Sequence, residues 1–267
     1  MKQDTEFYIG WQAEVPPGFA RTIRRTLFGL CLLVPAVALL IVVFQSGFSG
    51  STFEFGKKTV LEGVFNSNPV PFISIENSSD PSGKQVFQKI LLVGPGKRGF
   101  DAVFGDQNIP DGARVKMTGF LIYHDGKAGM EVKSIDIRPK PETRQPEARN
   151  LHLGVATLRG EITDPKCLFG VMKPGFGKPH RDCAVRCISG GIPPVLKVAN
   201  ENGETEYYLL VGPRGEALND RLRDFVADAV QVCGRIEQED DWLVLYADPA
   251  TMRRIDKETL NPGPLCN

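Results

Sequence analysis

Between Lys166 and Pro194 the chain reads KCLFGVMKPGFGKPHRDCAVRCISGGIPP. This stretch holds three of the six cysteines and one of the three histidines. Thiolate and imidazole are the donors of tetrahedral metal sites, so Cys167, His180, Cys183 and Cys187 form a candidate Cys3His set. His180, Cys183 and Cys187 are spaced i, i+3, i+7, and a short helix over His180–Ile188 would put all three on one face. Pro174, Gly175 and Gly177 let the backbone double back to bring in Cys167. The order C-x12-H-x2-C-x3-C departs from the tight cysteine pair that opens most zinc motifs.

The same residues permit other chemistry. His180 with Met172 makes an axial pair for a non-covalent haem, and these soft donors also suit Cu(I). Covalent haem attachment is excluded because no C-x-x-C-H occurs. A disulfide from Cys167 to Cys183 or Cys187 would staple the loop, stabilising it by about 3 kcal/mol. Lys166, Lys178, Arg181 and Arg186 would favour a reactive thiolate, although C-x3-C is not the C-x-x-C redox spacing. Five basic residues against two acidic ones between Asp164 and Cys187 would receive propionates, phosphate, headgroups or an acidic partner. His124 and His152 read as surface residues, Cys233 as a strand residue and Cys266 as a cysteine able to pair with another. No nucleophile motif or carboxylate pair argues for hydrolysis.

The elements that must carry this loop are strands. Short apolar runs broken by Gly, Pro, Asn and Asp occur at Thr59–Phe65, Ile90–Val93, Val115–Tyr123 and Met130–Ile137. They recur at Ala156–Ile162, Val195–Val198, Tyr207–Val211, Val230–Ile236 and Trp242–Tyr246. His124–Lys127 predicts a hairpin turn inside Phe120–Val132, and Asp240-Asp241 a second turn. A helix is expected over Leu218–Ala229, with Leu222, Phe225 and Val226 on one face.

The two halves echo each other: LLVG at Leu91 and Leu209, V-K-M-T-G and V-Q-V-C-G, L-E-G-V and L-R-G-E. Gly63 to Gly160 is 160 − 63 = 97 residues and Gly119 to Gly234 is 234 − 119 = 115, so the second copy carries an insertion early, which the Cys/His loop supplies. A mainly β chain with two small OB-like Greek-key barrels is expected, an immunoglobulin-like sandwich being the alternative. In the OB fold this insertion falls in the loop between strands one and two, a ligand-binding loop.

From Leu27 to Phe44 no residue is charged, and 18 residues span roughly 27 Å, close to a bilayer's hydrocarbon thickness. Arg21, Arg24 and Arg25 precede this run and the next charge is Glu54, which predicts a cytoplasmic N-terminus. A cleaved signal peptide is the competing reading, opposed by the polar leader and by the absence of an A-x-A site. The expected organisation is a leader (1–25), a transmembrane helix (26–48), a first OB-like domain (51–138) and a linker (139–151). A second OB-like domain (152–258), with the Cys/His loop at 164–194, and a tail (259–267) complete it. Cys31 lies in the span, leaving five cysteines outside in a compartment that permits disulfides. Net charge is zero, with 32 basic and 32 acidic residues, which argues against nucleic acid as a partner.

With its anchor, tandem halves and K-C-L-F-G-V-M-K-P-G-F-G-K-P-H-R-D-C-A-V-R-C loop, the chain resembles uncharacterised bacterial membrane-anchored proteins. It is also similar in architecture to the haem chaperone of cytochrome c maturation, a single-span anchor bearing an extracytoplasmic OB-type barrel. These resemblances imply the bacterial inner membrane with the bulk periplasmic, and carry over no functional residue. The expectation is a non-enzymatic accessory or assembly subunit that binds a metal, haem or a larger membrane or respiratory complex. A thiol–disulfide or electron-transfer protein and a disulfide-stapled scaffold are the alternatives.

Overall fold

A computed structural model describes residues 16–46, 50–79, 85–138, 150–199, 204–255 and 266. The chain divides into two compact units, Met1–Ser49 and Gly50–Asn267. In the first, a single helix, α1, runs over Pro17–Ser46. It begins ten residues before the apolar run, so Arg21, Arg24 and Arg25 are helical rather than part of an unstructured leader. Among the described residues it is the one helix long and apolar enough to cross a membrane, a test that a signal sequence also passes. Pro35 lies inside it, which spanning helices tolerate.

The second unit is two closed five-stranded barrels. The first comprises β2 (Thr59–Asn66), β3 (Phe72–Ser79), β4 (Gln85–Val93), β5 (Arg114–His124) and β6 (Lys127–Ile137). A short strand β1 (Thr52–Phe53) is added on the outside of β5. The second comprises β7 (Asn150–Thr163), β8 (Val195–Ala199), β9 (Thr205–Val211), β10 (Ala229–Glu239) and β11 (Trp242–Arg254). Numbered within each barrel, both run in the order 1-2-3-5-4 and close from 4 to 1. Strands 3 and 5 are parallel in both, Leu91 opposite Gly129 and Leu209 opposite Val244. This is OB topology, as the repeat pattern predicts.

The matched glycines show why the halves share this shape. Closing a small barrel forces strand 1 against strand 2 and strand 4 against strand 5. A Cβ on Gly63 would stand 2.3 Å from the Ser74 carbonyl oxygen, and one on Gly160 would stand 2.4 Å from that of Lys197. Gly119 and Gly234 meet Glu131 and Tyr246 carbonyls in the same way, at 2.3 and 2.6 Å. The predicted hairpin turn is Asp125-Gly126, both at positive φ, joining β5 to β6. The Asp240-Asp241 turn joins β10 to β11.

Two expectations change. Strands β1 and β3 have no counterpart among the predicted runs. The helix expected over Leu218–Ala229 is one turn, α4 (Asn219–Leu222), with a 3-10 turn to Phe225, because Val226 becomes extended and bridges Ile162. A similar turn, α2 (Asp101–Phe104), occupies the equivalent place in the first barrel. Of the expected linker 139–151, residues 139–149 lie outside the described residues, as does most of the tail, and Asn150 and Leu151 already belong to β7.

The barrels share a core. Phe72, Leu91, Val93 and Ile122 of the first pack with Leu209, Val211, Trp242 and Val244 of the second. Trp242 lies 5.6 Å from the Phe72 ring and donates its indole N–H to the Lys89 carbonyl oxygen at 2.9 Å. Lys89, buried, pairs with Glu239 at 3.2 Å.

Candidate metal centre

The insertion leaves β7 at Thr163 and re-enters the sheet at Val195. It folds as a π-helical turn at Cys167–Val171, a 3-10 turn at Lys178–His180 and the helix α3 (Arg181–Ser189). His180 therefore sits at the N-terminus of α3 instead of inside it, while Cys183 and Cys187, four apart, share a face. Cys167, Leu168, Phe169 and Cys187 belong to the core between the barrels. Phe169 anchors the insertion edge-on against Tyr207 at 5.2 Å.

Asp164 organises the site. Fully buried, it accepts the Cys167 amide N–H at 2.9 Å with one oxygen and contacts His180 Nε2 at 2.8 Å with the other. An ionised carboxylate can only accept, so Nε2 carries a proton, and the neutral ring then keeps its lone pair on Nδ1. That Nδ1 is buried and has no hydrogen-bond partner. A buried imidazole nitrogen oriented from behind by a carboxylate is the arrangement of a metal-ligating histidine.

Around it, one ligand atom each of Cys167, His180 and Cys183 falls within 4.8 Å of the others, as do those of Asp164, Cys167 and Cys187. The Cys167 and Cys183 sulfurs are 3.8 Å apart. A hydrogen bond from the Cys167 thiol to Cys187 pushes the Cys167 thiol up and holds Cys187 below the ordinary thiol range; burial adds to the first effect and opposes the second. One proton is thus held between Cys167 and Cys187, and a bound cation would have to displace it.

The first barrel closes the site from the other side. Lys97, in the loop after β4, places Nζ 2.7 Å from Cys183 Sγ, which pushes its ammonium up. The Gly99 N–H donates to the Gly190 carbonyl at the end of α3 at 2.8 Å. Lys166, buried, donates to the Gly94 and Gly96 carbonyls at 2.9 and 2.6 Å and pairs with Glu131 at 2.6 Å.

Of the residues singled out in the sequence, Cys167, His180 and Cys183 fall in one donor cluster, and Cys187 falls in a second that shares Cys167 and includes Asp164. Met172 is 38% exposed beyond the π-helical turn, whereas His180 is 1% exposed. All three loop cysteines are free; the disulfide is Cys233–Cys266, joining β10 to the chain end, so the expected pairing of Cys167 is corrected. Cys233 is half-buried on β10, and its Cα lies 5.7 Å from that of Cys266. Asp164 and Lys97 were not among the predicted site residues. Asp164 stands three residues before Cys167 and accepts its N–H, a local capping pattern that could have marked it. Lys97 carried one faint signal: LLVGPGK departs there from its repeat partner LLVGPRG.

No protein-family model matches the chain, and no curated protein does. Among solved structures, a deletion mutant of the single-stranded DNA-binding protein from Thermus aquaticus matches at TM-score 0.21 and 15% identity, over 78% of this chain and 96% of that one. The expectation that nucleic acid is no partner is corrected: the neighbour found is itself a single-stranded DNA-binding protein, and zero net charge over the whole chain, the premise of that expectation, does not exclude a local basic surface. At this TM-score the likeness carries nothing further about what the chain binds.

Proposed function

We propose that the protein is a single-pass, membrane-anchored subunit whose paired OB barrels carry a tetrahedral metal site of Cys167, His180, Cys183 and Cys187. The observation that carries this reading is the orphaned, buried Nδ1 of His180, backed by Asp164, among three unoxidised cysteines. Three thiolates and one imidazole with no open position suit a structural Zn2+. Asp164 would hold the imidazole tautomer, and Lys97 would offset the excess negative charge of a Cys3His site. The haem reading is less well supported, because Met172 is 38% exposed while His180 is buried.

The anchor reading rests on the apolar helix and the arginines at its start. They favour an N-terminus in the cytoplasm and both barrels in the periplasm of a bacterial cell. A site locked between two barrels on a tether suits an accessory subunit of a larger membrane assembly, since tethering raises the effective concentration of a neighbour.

Full-length protein purified in detergent tests the metal reading by elemental analysis beside a count of reactive thiols. One zinc per chain is expected, with Cys167, Cys183 and Cys187 protected until a chelator is added. Protein without metal whose three thiols react freely would overturn it.

A further inference from the structure

We infer that the same cluster performs thiol–disulfide exchange with a low-mass anionic disulfide, starting at Cys183, and that bound metal locks this activity. Only the lock rests on the metal reading; the exchange itself rests on three observations about the sulfurs.

The first is access. Cys167 and Cys187 are 3% and 1% exposed, whereas Cys183 is half-buried and is the most accessible residue of the three. The second is distance. The Cys167 and Cys183 sulfurs stand 3.8 Å apart, about van der Waals contact, so forming a bond of about 2.05 Å requires only a side-chain adjustment. The third is charge. Lys97 Nζ touches Cys183 Sγ at 2.7 Å and compensates negative charge on the attacking sulfur. Arg98 follows Lys97 in the chain and Arg186 lies three residues after Cys183 on α3, both exposed. These cations suit a small disulfide bearing carboxylates, and the half-buried position of Cys183 favours a slender reactant over a protein surface.

The exchange balances without any further oxidant. Cys183, as thiolate, attacks one sulfur of the disulfide R–S–S–R, forming Cys183–S–S–R and expelling one R–S⁻. The Cys167 thiol then attacks Cys183 at 3.8 Å and displaces the second R–S⁻, its proton leaving with that group as R–SH. One external disulfide is reduced by two electrons, and Cys167–Cys183 is oxidised by the same two. A metal held by both sulfurs must leave as the unchanged cation before the second step.

Full-length protein in detergent, stripped of metal and treated with oxidised glutathione, tests this by mass spectrometry of unreduced peptides. One Cys167–Cys183 disulfide and two released glutathione thiols per chain are expected. Cys167→Ser should trap glutathione on Cys183, and Cys183→Ser or Cys183→Ala should yield neither product. Lys97→Met, a surface change, should slow capture about tenfold. Prior addition of zinc should block the reaction. No adduct at Cys183, closure onto Cys187 instead of Cys167, or an unslowed Lys97→Met variant would overturn the inference. Zinc bound stoichiometrically while the stripped protein stays inert sinks the exchange alone; ready exchange by a protein that never binds zinc sinks the metal reading alone.

Discussion

Asp164 illustrates how one carboxylate can decide what a neighbouring ring does. It belongs to one of the two donor clusters, and its second oxygen faces His180 Nε2, which leaves Nδ1 as the nitrogen free to ligate. Asp164→Asn keeps the size and turns an acceptor into a donor toward Nε2, favouring the tautomer with the proton on Nδ1. Metal affinity should fall about 10- to 100-fold, measured by competition with a chromogenic chelator. A purely structural role would instead lower the melting temperature and leave the affinity of the folded protein unchanged. The donor types were legible in the sequence because cysteine and histidine in a short basic loop have few other uses. Their partners were not, since Lys97 lies 86 residues from Cys183 and its contact exists only once two barrels have docked.

The strand glycines make the corresponding point for elements. Gly160 sits where β7 bends onto β8, and any side chain there meets the Lys197 carbonyl oxygen and the Leu196 side chain. Gly160→Ala should therefore cost about 1–3 kcal/mol in denaturant unfolding. Gly105→Ala is the control: its nearest neighbour would be 3.9 Å away and its φ is −56°, so little change is expected. Repeated glycines at matched offsets, together with the Asp-Gly turn, made the paired barrels readable from sequence alone. Strand β3 escaped because its FISIENSS run ends in polar residues and pairs with β4 through a register shift between Glu76 and Ser78. The helix around Leu222 was over-extended because Leu222, Phe225 and Val226 stand at helical spacing, although Ala227 takes positive φ and the chain turns into β10.

For the molecule as a whole, the barrel seam carries the most consequence. Trp242 is fully buried between Phe72 and Phe169 and bonded to the Lys89 backbone. Trp242→Ala should cost about 3–5 kcal/mol and split one calorimetric transition into two. It should also loosen the cysteine loop, because Lys97 and the carbonyls that hold Lys166 come from the far barrel. None of this seam showed in the sequence, where Lys89 and Trp242 are 153 positions apart. The Cys233–Cys266 bond, closing a loop of 33 residues, stabilises the folded second barrel by about 3–4 kcal/mol in the chain-entropy model. One chain thus asks opposite things of its surroundings: two of its sulfurs must be joined while three others stay reduced. Whatever machinery oxidises the first pair meets the triad during the same maturation. The order of events then decides the product: a triad already filled with metal when the oxidant arrives keeps its sulfurs reduced while Cys233 and Cys266 are joined.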